Sequence, residues 1–249
     1  MRTILITGAS SGIGLACAKT FASQNNLALC ARNQSALQKT SSELTNNNSN
    51  ILVFRADVTN TDQVDEMFSA LEEEEMMPDV LINAAGLALG LDYLEDYSYE
   101  DLNAMINTNV TGLLYITKLA LKYMKKKNSG HIVDIGSIAG INTYSKGVIY
   151  AATKASVKSI SDGIRKEIIE HKIKITNIQP GLVETNFSNV RFKGNKEKAN
   201  SVYRGIKPLS ATDIADTIRY AIDAPPHVQI NEITVTPVHQ ATVEQIYKL

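Results

Sequence analysis

The sequence predicts an α/β protein in which a mostly parallel sheet of about seven strands is covered by helices on both faces. Short apolar runs alternate with helix-length amphipathic stretches along all 249 residues. Such alternation requires right-handed crossovers between parallel strands. A glycine-rich turn directly after the first apolar run is a second indication, because it connects a strand to a helix. We expect one domain over residues 1–249, without a linker or internal repeat.

The individual elements follow from the spacing of apolar residues. The strand candidates, in chain order, are Thr3–Thr7, Leu27–Ala31, Ile51–Ala56, Val80–Asn83, His131–Gly136, Lys174–Gln179 and Glu232–Thr236. The helix candidates are Gly12–Ser23, Gln34–Thr45, Gln63–Glu75, Tyr99–Lys126, Val148–His171 and Thr212–Ala224. The polar run Asn46–Asn50 predicts a turn before the third strand. Each helix falls between two strands, which is the order of a doubly wound sheet.

Composition limits the classes of function. Hydrophobic residues make up 44% and charged residues 20% of the chain, which is typical of globular proteins. The formal net charge of −1 predicts no affinity for nucleic acid or anionic membranes. No apolar span is long enough to cross a bilayer, and the first strand begins almost at once. Two cysteines and four scattered histidines predict a reduced, cytoplasmic protein without disulfides or a metal site.

The glycine-rich turn Thr7–Gly14 predicts a dinucleotide site of the Rossmann type. Glycines let the backbone approach a pyrophosphate, whose charge then lies at the helix N-terminus. The residues that would form this cradle are Gly8, Ser10, Ser11, Gly12, Ile13 and Gly14. After the second strand, Arg32 offers a positive fork suited to a 2′-phosphate, which favours NADP(H) over NAD(H). The alternative interpretation of Arg32 is an exposed arginine at a strand end.

Tyr150 and Lys154 are one helical turn apart, so their side chains share a face. A phenol is a poor proton donor or acceptor at neutral pH unless a nearby cation stabilises its phenolate. The Lys154 ammonium would supply that cation, and Ser137 would hold a carbonyl or alcohol oxygen. Taken alone, the pair is better explained as an ordinary surface pair of a helix.

Together these residues resemble the short-chain dehydrogenase/reductase family over essentially the whole chain. The matching motifs are Thr7–Gly14, Asp57-Val58, Asn83-Ala84-Ala85-Gly86, Asn109, Ser137, Tyr150, Lys154 and Pro180–Thr185. The resemblance implies a catalytic tetrad of Asn109, Ser137, Tyr150 and Lys154. It also implies that Asp57 and Val58 contact the adenine and that Asn83, Pro180, Gly181, Val183 and Thr185 contribute to the cofactor site. Ala84 departs from the family, which more often has asparagine there.

A closer resemblance is to the NADP-dependent 3-hydroxy acid dehydrogenases, which include enzymes acting on serine, allo-threonine and malonic semialdehyde. It rests on Asn83–Gly90, Phe187–Gly194 and Pro237-Val238. The implied function is hydride transfer between NADP and the 3-position of a small 3-hydroxy acid, in a homo-oligomer and, by family analogy, a tetramer. Two alternatives remain open: a reductase of 3-oxoacyl carrier-protein thioesters or other small carbonyls, and a non-catalytic NADP(H) sensor.

The stretch from Gly181 to Leu209 shows little periodicity and follows a strand end. We expect it to be a substrate loop or lid, the alternative being a plain surface excursion. It carries Arg191 and Lys193, whose positive charges suit a substrate carboxylate, and we favour Arg191 because a guanidinium can donate two hydrogen bonds to a carboxylate. A solvated basic loop explains the same residues equally well.

Overall fold

The computed structural model describes residues 1–44 and 50–249. Its strands are β1 Arg2–Thr7, β2 Asn25–Ala31, β3 Ile51–Arg55, β4 Val80–Asn83, β5 Gly130–Ile135, β6 Ile173–Pro180, β7 Val183–Glu184, β8 Leu209–Ser210 and β9 Glu232–Val235. Seven of them form one parallel sheet in the order β3-β2-β1-β4-β5-β6-β9, and β7 and β8 form a separate pair. The predicted α/β fold class is therefore confirmed.

The helices are α1 Gly12–Phe21, α2 Gln34–Leu44, α3 Thr61–Glu73, α4 Tyr99–Ile106, α5 Leu113–Lys127, α6 Val148–Glu167, α7 Phe187–Arg191, α8 Lys196–Ser201 and α9 Ala211–Ile222. The predicted helix ends differ from these by a few residues, as fraying ends usually do. Thr45, the predicted last residue of α2, lies outside the described residues. So do residues 46–49 of the predicted Asn46–Asn50 turn.

The two faces of the sheet bury separate apolar layers. Ile4 and Ile6 of β1 point to one face and pack in a cluster with residues of α1 and α9. Leu5, between them, points to the other face, where the cluster includes residues of α3, α5 and α6. Because successive strand residues alternate between faces, an almost continuous apolar run in β1 serves both layers.

The predicted helix Tyr99–Lys126 is interrupted. α4 ends at Ile106, a π-helical segment spans Asn107–Gly112, and α5 then begins at Leu113. Within the segment, the Asn109 side chain binds the backbone of Leu87 on the β4–α4 connection. A π-helical bulge of this kind places a side chain that a regular helix would direct elsewhere.

The stretch predicted to be irregular, residues 181–209, contains α7, α8 and strand β7, and it ends at β8. The prediction missed these elements because helices of five and six residues are too short to show periodicity. The segment crosses the carboxyl ends of the strands, close to where the strand order reverses between β1 and β4. In sheets of this kind ligands bind at that edge.

Within residues 1–44 and 50–249, no helix is long and apolar enough to span a bilayer. The same residues contain no cluster of histidine, cysteine and acidic side chains that could hold a metal ion. Cys17 and Cys30 are buried, and both are free thiols.

Candidate active site

A cleft of about 380 Å³ runs along the carboxyl ends of the strands, where the topology predicts a ligand site. Its walls contain most of the residues singled out from the sequence: Gly8, Ser10, Ser11, Gly12, Ile13, Arg32, Asp57, Val58, Ser137, Tyr150, Lys154, Pro180, Gly181, Val183, Thr185 and Arg191. Gly14, Asn83, Asn109 and Lys193 are not part of the cleft wall.

At two positions, Gly8 and Gly14, the glycine turn leaves no room for a side chain. Gly8 has φ of +67°, and a Cβ there would lie 2.8 Å from the carbonyl oxygen of Ala84. A Cβ at Gly14 would lie 2.4 Å from the carbonyl oxygen of Gly8. Gly14 thus supports the turn from behind. The first turn of α1 contains no acidic residue, and Ser11 makes no side-chain capping bond. These features fit a pyrophosphate bound at the N-terminus of α1.

Arg32 and Asp57 lie at one end of the cleft. Arg32 Nη1 is 3.9 Å from Asp57 Oδ2, and 66% of the arginine side chain is exposed. The other carboxylate oxygen, Oδ1, accepts hydrogen bonds from the backbone and hydroxyl of Thr59 at 2.9 and 2.8 Å. Asp57 is thereby oriented, while the Arg32 guanidinium remains accessible to an anion.

Tyr150 and Lys154 lie on the first turns of α6, beside Ser137 at the end of β5. Lys154 Nζ donates a 2.7 Å hydrogen bond to the carbonyl of Ile135 and lies 5.8 Å from the centre of the Tyr150 ring. The Ser137 hydroxyl accepts a hydrogen bond from the Ala139 backbone at 3.1 Å. The helical spacing therefore does bring phenol and ammonium to one place.

Burial controls the proton affinity of this pair. Burial raises the pKa of Tyr150 to about 12, and the charge on the Arg191 guanidinium and a hydrogen bond with Ser137 act in the opposite direction. Burial lowers the pKa of Lys154 to about 8, with Asp134 opposing the change. Displacements of this size within a cleft are typical of functional groups.

Asn109 lies behind the cleft wall. Its amide makes two 2.8 Å hydrogen bonds to the backbone of Leu87 and one of 3.0 Å to Thr153 Oγ1. A Cβ on Gly86 would lie 3.2 Å from Asn109 Oδ1 and 3.5 Å from Lys154 Nζ. The asparagine side chain therefore fixes the β4–α4 connection, and Gly86 lies close to both this side chain and the Lys154 ammonium.

Asn83 lies beneath the cleft. Its Nδ2 donates to Thr117 at 2.9 Å and to the carboxylate of Asp134 at 2.8 Å. Asp134 is fully buried and also accepts a 2.7 Å hydrogen bond from Ser161 of α6. The side chain of Asn83 is thus used to join β4, β5 and the helices over them.

Of the two basic residues in the 181–209 segment, Arg191 reaches the cleft. Its Nε donates to the carbonyl of Gly90 at 3.0 Å, and its Nη2 donates to the hydroxyl of Tyr144. Lys193 has φ of +50° beyond the end of α7. It points to the outside, where its ammonium lies 2.7 Å from the carboxylate of Asp101.

Several cleft residues were not predicted from the sequence. Tyr144 contacts Arg191, and Phe187 packs edge-on against Tyr150 with ring centres 5.6 Å apart. Gln240 accepts a 2.8 Å hydrogen bond from the Leu182 backbone near the C-terminal end of the chain. Tyr144 could have been found from the sequence, because it is an aromatic residue that lies shortly before Tyr150. Gln240 has no such sequence signal, because only the folding of the chain brings it to Leu182, just after β6.

The parallel α/β sheet, with a cleft and a glycine turn at its carboxyl edge, is typical of nucleotide-binding proteins, and the comparisons specify the family. The family model of the short chain dehydrogenases matches residues 2–196. The chain therefore belongs to the short-chain dehydrogenase family.

The chain is similar to several named members over nearly its full length. An NADP-dependent 3-hydroxy acid dehydrogenase of Schizosaccharomyces pombe is 40% identical over 250 residues, which cover 99% of this chain and 96% of the relative. The NADP-dependent 3-hydroxy acid dehydrogenase YdfG of Escherichia coli (strain K12) is 38% identical over 240 residues, covering 96% of both chains. The closed form of a serine dehydrogenase complexed with NADP+ has a TM-score of 0.91 and 38% identity, again with 96% of both chains covered.

Proposed function

We propose that this protein is an NADP-dependent dehydrogenase that oxidises small 3-hydroxy acids at the 3-position, or reduces their 3-oxo partners. The observation that carries the proposal is the placement of Tyr150, Lys154 and Ser137 in one cleft beside the glycine turn. The relatives named as NADP-dependent 3-hydroxy acid dehydrogenases support the cofactor and the substrate class.

Bound NADP(H) supplies the hydride chemistry. Gly8, Gly12 and the N-terminus of α1 would hold its pyrophosphate. Arg32 would pair with the 2′-phosphate, for which its exposed guanidinium is suited. The predicted carboxamide segment Pro180–Thr185 would contact the other end, since most of its residues line the cleft.

Tyr150 would exchange the proton at the substrate oxygen, as acid in reduction and as base in oxidation. Ser137 would donate a hydrogen bond to the same oxygen. Lys154 would stabilise the phenolate while its ammonium is anchored by the Ile135 carbonyl. Asn109 would act as a positioning residue, because its amide fixes the chain at Leu87 beside Gly86.

Arg191 would bind the carboxylate of the substrate. With Nε and Nη2 directed to Gly90 and Tyr144, its other N–H groups remain for an anion. No acidic side chain forms a salt bridge with Arg191 within the described part of the chain. Lys193 would take no part in the site, since its exposed ammonium pairs with Asp101 outside the cleft.

We further propose that residues 1–249 form one domain and that the 181–209 segment serves as the lid over the substrate. Phe187 and Arg191 contact Tyr150 from this segment, which supports that role. A homotetramer in the cytoplasm is proposed from family analogy. Large apolar side chains on α4 and α5, such as Tyr99 and Leu114, are exposed and would suit such an interface.

A substrate panel tests the function. L-Serine, allo-threonine and 3-hydroxypropionate would be oxidised with NADP and with NAD, and 3-oxoacyl thioesters of an acyl carrier protein would be reduced in parallel. We expect turnover of the free acids with NADP preferred. Turnover of the carrier thioester alone would identify the carrier-protein reductase, and tight NADPH binding without any turnover would identify a sensor.

Tyr150→Phe tests the mechanism on the same panel. We expect turnover to fall by about 10²-fold or more, because the proton exchange is lost, while NADPH binding stays within a few-fold. Cofactor binding is measured by fluorescence titration. Near-normal turnover in this variant would remove Tyr150 from the acid–base role.

A further inference from the structure

The guanidinium of Arg191 is held rigidly at the edge of the candidate active site. Nε donates to the Gly90 carbonyl at 3.0 Å, and the Gly90 backbone N–H donates to the Arg191 carbonyl at 2.9 Å. Nη2 donates to the hydroxyl of Tyr144. Side chain and backbone are therefore both fixed to the β4–α4 connection, so the position of the charge is set by the fold.

That position is over two aromatic rings. The Arg191 Cζ lies 5.5 Å from the centre of the Tyr150 ring and 5.7 Å from that of Tyr144. Both distances are within the range of a cation–π contact. Phe187, from the same short helix α7, packs its ring edge-on against Tyr150. The segment thus places one apolar ring and one cation against the aromatic ring of Tyr150.

Among the described residues, the cleft wall beside Tyr150 carries no acidic side chain to offset this cation. The titratable groups of the cleft wall near Tyr150 are Tyr144, Lys154, Arg191 and Tyr203. Asp57 is the one acidic residue in that wall among the described residues, and it lies beside Arg32 at the other end. Asp92, on the β4–α4 connection, packs against Gly90 outside the wall.

Lys154 and Arg191 differ as cations. Burial lowers the pKa of Lys154 to about 8, so the charge of its ammonium depends on pH in this range, with Asp134 opposing the change. A guanidinium keeps its charge throughout this range. The charge on Arg191 opposes the effect of burial on the Tyr150 pKa, as does a hydrogen bond with Ser137.

We propose that Arg191 is a second cation of the acid–base centre, stabilising the Tyr150 phenolate in addition to binding the substrate carboxylate. In reduction the Tyr150 O–H bond breaks and its proton passes to the substrate oxygen, which leaves the phenolate facing the guanidinium. In oxidation the phenolate takes the hydroxyl proton back. Because Arg191 belongs to α7, the placement of the 181–209 segment determines how strongly Tyr150 acts as an acid.

The test compares Arg191→Gln, Arg191→Lys and a matched control, Lys193→Gln, which removes the same charge from the same segment outside the cleft. The pH profile of kcat/KM is measured in the oxidation direction. The Arg191→Gln midpoint should move up by about one pH unit, a tenfold change in proton concentration. Arg191→Lys should stay near the wild-type midpoint, although its KM for a carboxylate substrate rises because the bidentate fork is lost. Lys193→Gln should leave the midpoint in place.

A second readout does not depend on turnover. Tyr150 ionisation is followed by the ultraviolet absorbance of phenolate, as the difference between each protein and its Tyr150→Phe counterpart, and should show the same order of midpoints. An unmoved midpoint in Arg191→Gln, or an equal shift in Lys193→Gln, would overturn the inference. The inference rests on the proposed role of Tyr150. If Tyr150→Phe keeps its turnover, the proposed function is wrong. If Tyr150→Phe loses its turnover but the pH profile of Arg191→Gln does not move, only the proposed role of Arg191 is wrong.

Discussion

At the scale of single residues, Lys154 shows what a buried functional charge costs. The side chain is 7% exposed and holds the Ile135 carbonyl. Burial lowers its pKa from 10.5 to about 8. Between these two values the unfolded chain binds a proton that the folded chain does not. Stability therefore rises with pH across that window, and the full penalty is present below pH 8.

Lys154→Met should remove that penalty. We expect the variant to be more stable than wild type at pH 7 by about 1–3 kcal/mol, with the difference shrinking as the pH rises towards 10.5. Urea unfolding of both proteins at pH 7 and pH 10 measures the effect. Turnover should be lost in the same variant. If the stability difference between the two proteins did not change with pH, the charge on Lys154 would not destabilise the folded state and the prediction would be wrong.

Two pairs of residues show what could be predicted from the sequence at this scale and what could not. The one-turn spacing of Tyr150 and Lys154 predicted a shared face, and Lys154 Nζ does lie 5.8 Å from the centre of the Tyr150 ring. Of Arg191 and Lys193, the chemistry of the guanidinium favoured Arg191 as the carboxylate ligand, but no sequence pattern predicted which of the two reaches the cleft. The end of α7 decides, because Lys193 adopts a left-handed backbone conformation and turns towards Asp101.

At the scale of elements, the interruption between α4 and α5 is the main departure from the predicted secondary structure. Residues 107–112 form a π-helical segment that no apolar pattern reveals, since both neighbouring helices keep their own periodicity. Gly112 ends it against the cofactor cleft. A Cβ there would lie 2.7 Å from the side chain of Val58.

Gly112→Ala should push this segment away from Val58. We expect a loss of about 1–3 kcal/mol in unfolding free energy and weaker NADPH binding, because Val58 lines the cleft. Gly163→Ala is the matched control in α6, where a Cβ meets no atom within 4 Å. It should instead stabilise by about 0.5–1 kcal/mol. The prediction is wrong if both variants change stability in the same direction.

At the scale of the whole molecule, the sheet is held partly by buried polar contacts. His131 of β5 places Nε2 2.9 Å from the hydroxyl of Thr176 on β6, and that hydroxyl donates to the Ile230 carbonyl. In the neutral His131 imidazole, the protonated nitrogen is therefore Nε2, which donates to the Thr176 hydroxyl. Burial, with Lys174 and Arg2 adding to it, lowers the pKa of His131 from 6.5 to about 3.

The sign of the resulting pH dependence follows from proton binding. Between pH 3 and 6.5 the unfolded chain takes up a proton at His131 that the folded chain rejects, so this contribution to stability is present above pH 6.5 and lost as the pH falls. In His131→Gln the fall in unfolding free energy below pH 6.5 should be shallower by up to about 1.4 kcal/mol per pH unit. His227→Gln, at an exposed histidine, should follow the wild-type curve. Parallel curves for wild type and His131→Gln would contradict the prediction.

The sequence by itself determined the fold class, the strand-turn-helix at Thr7–Gly14 and the shared face of Tyr150 and Lys154. These features follow locally from the spacing of apolar residues, the conformational freedom of glycine and the geometry of the helix. Only the tertiary structure decided that Asn83 and Asn109 lie behind the cleft and that Arg191, with Tyr144, reaches the phenol. Such contacts join parts of the chain that are far apart in sequence, so their geometry depends on how whole elements pack and no local pattern encodes it.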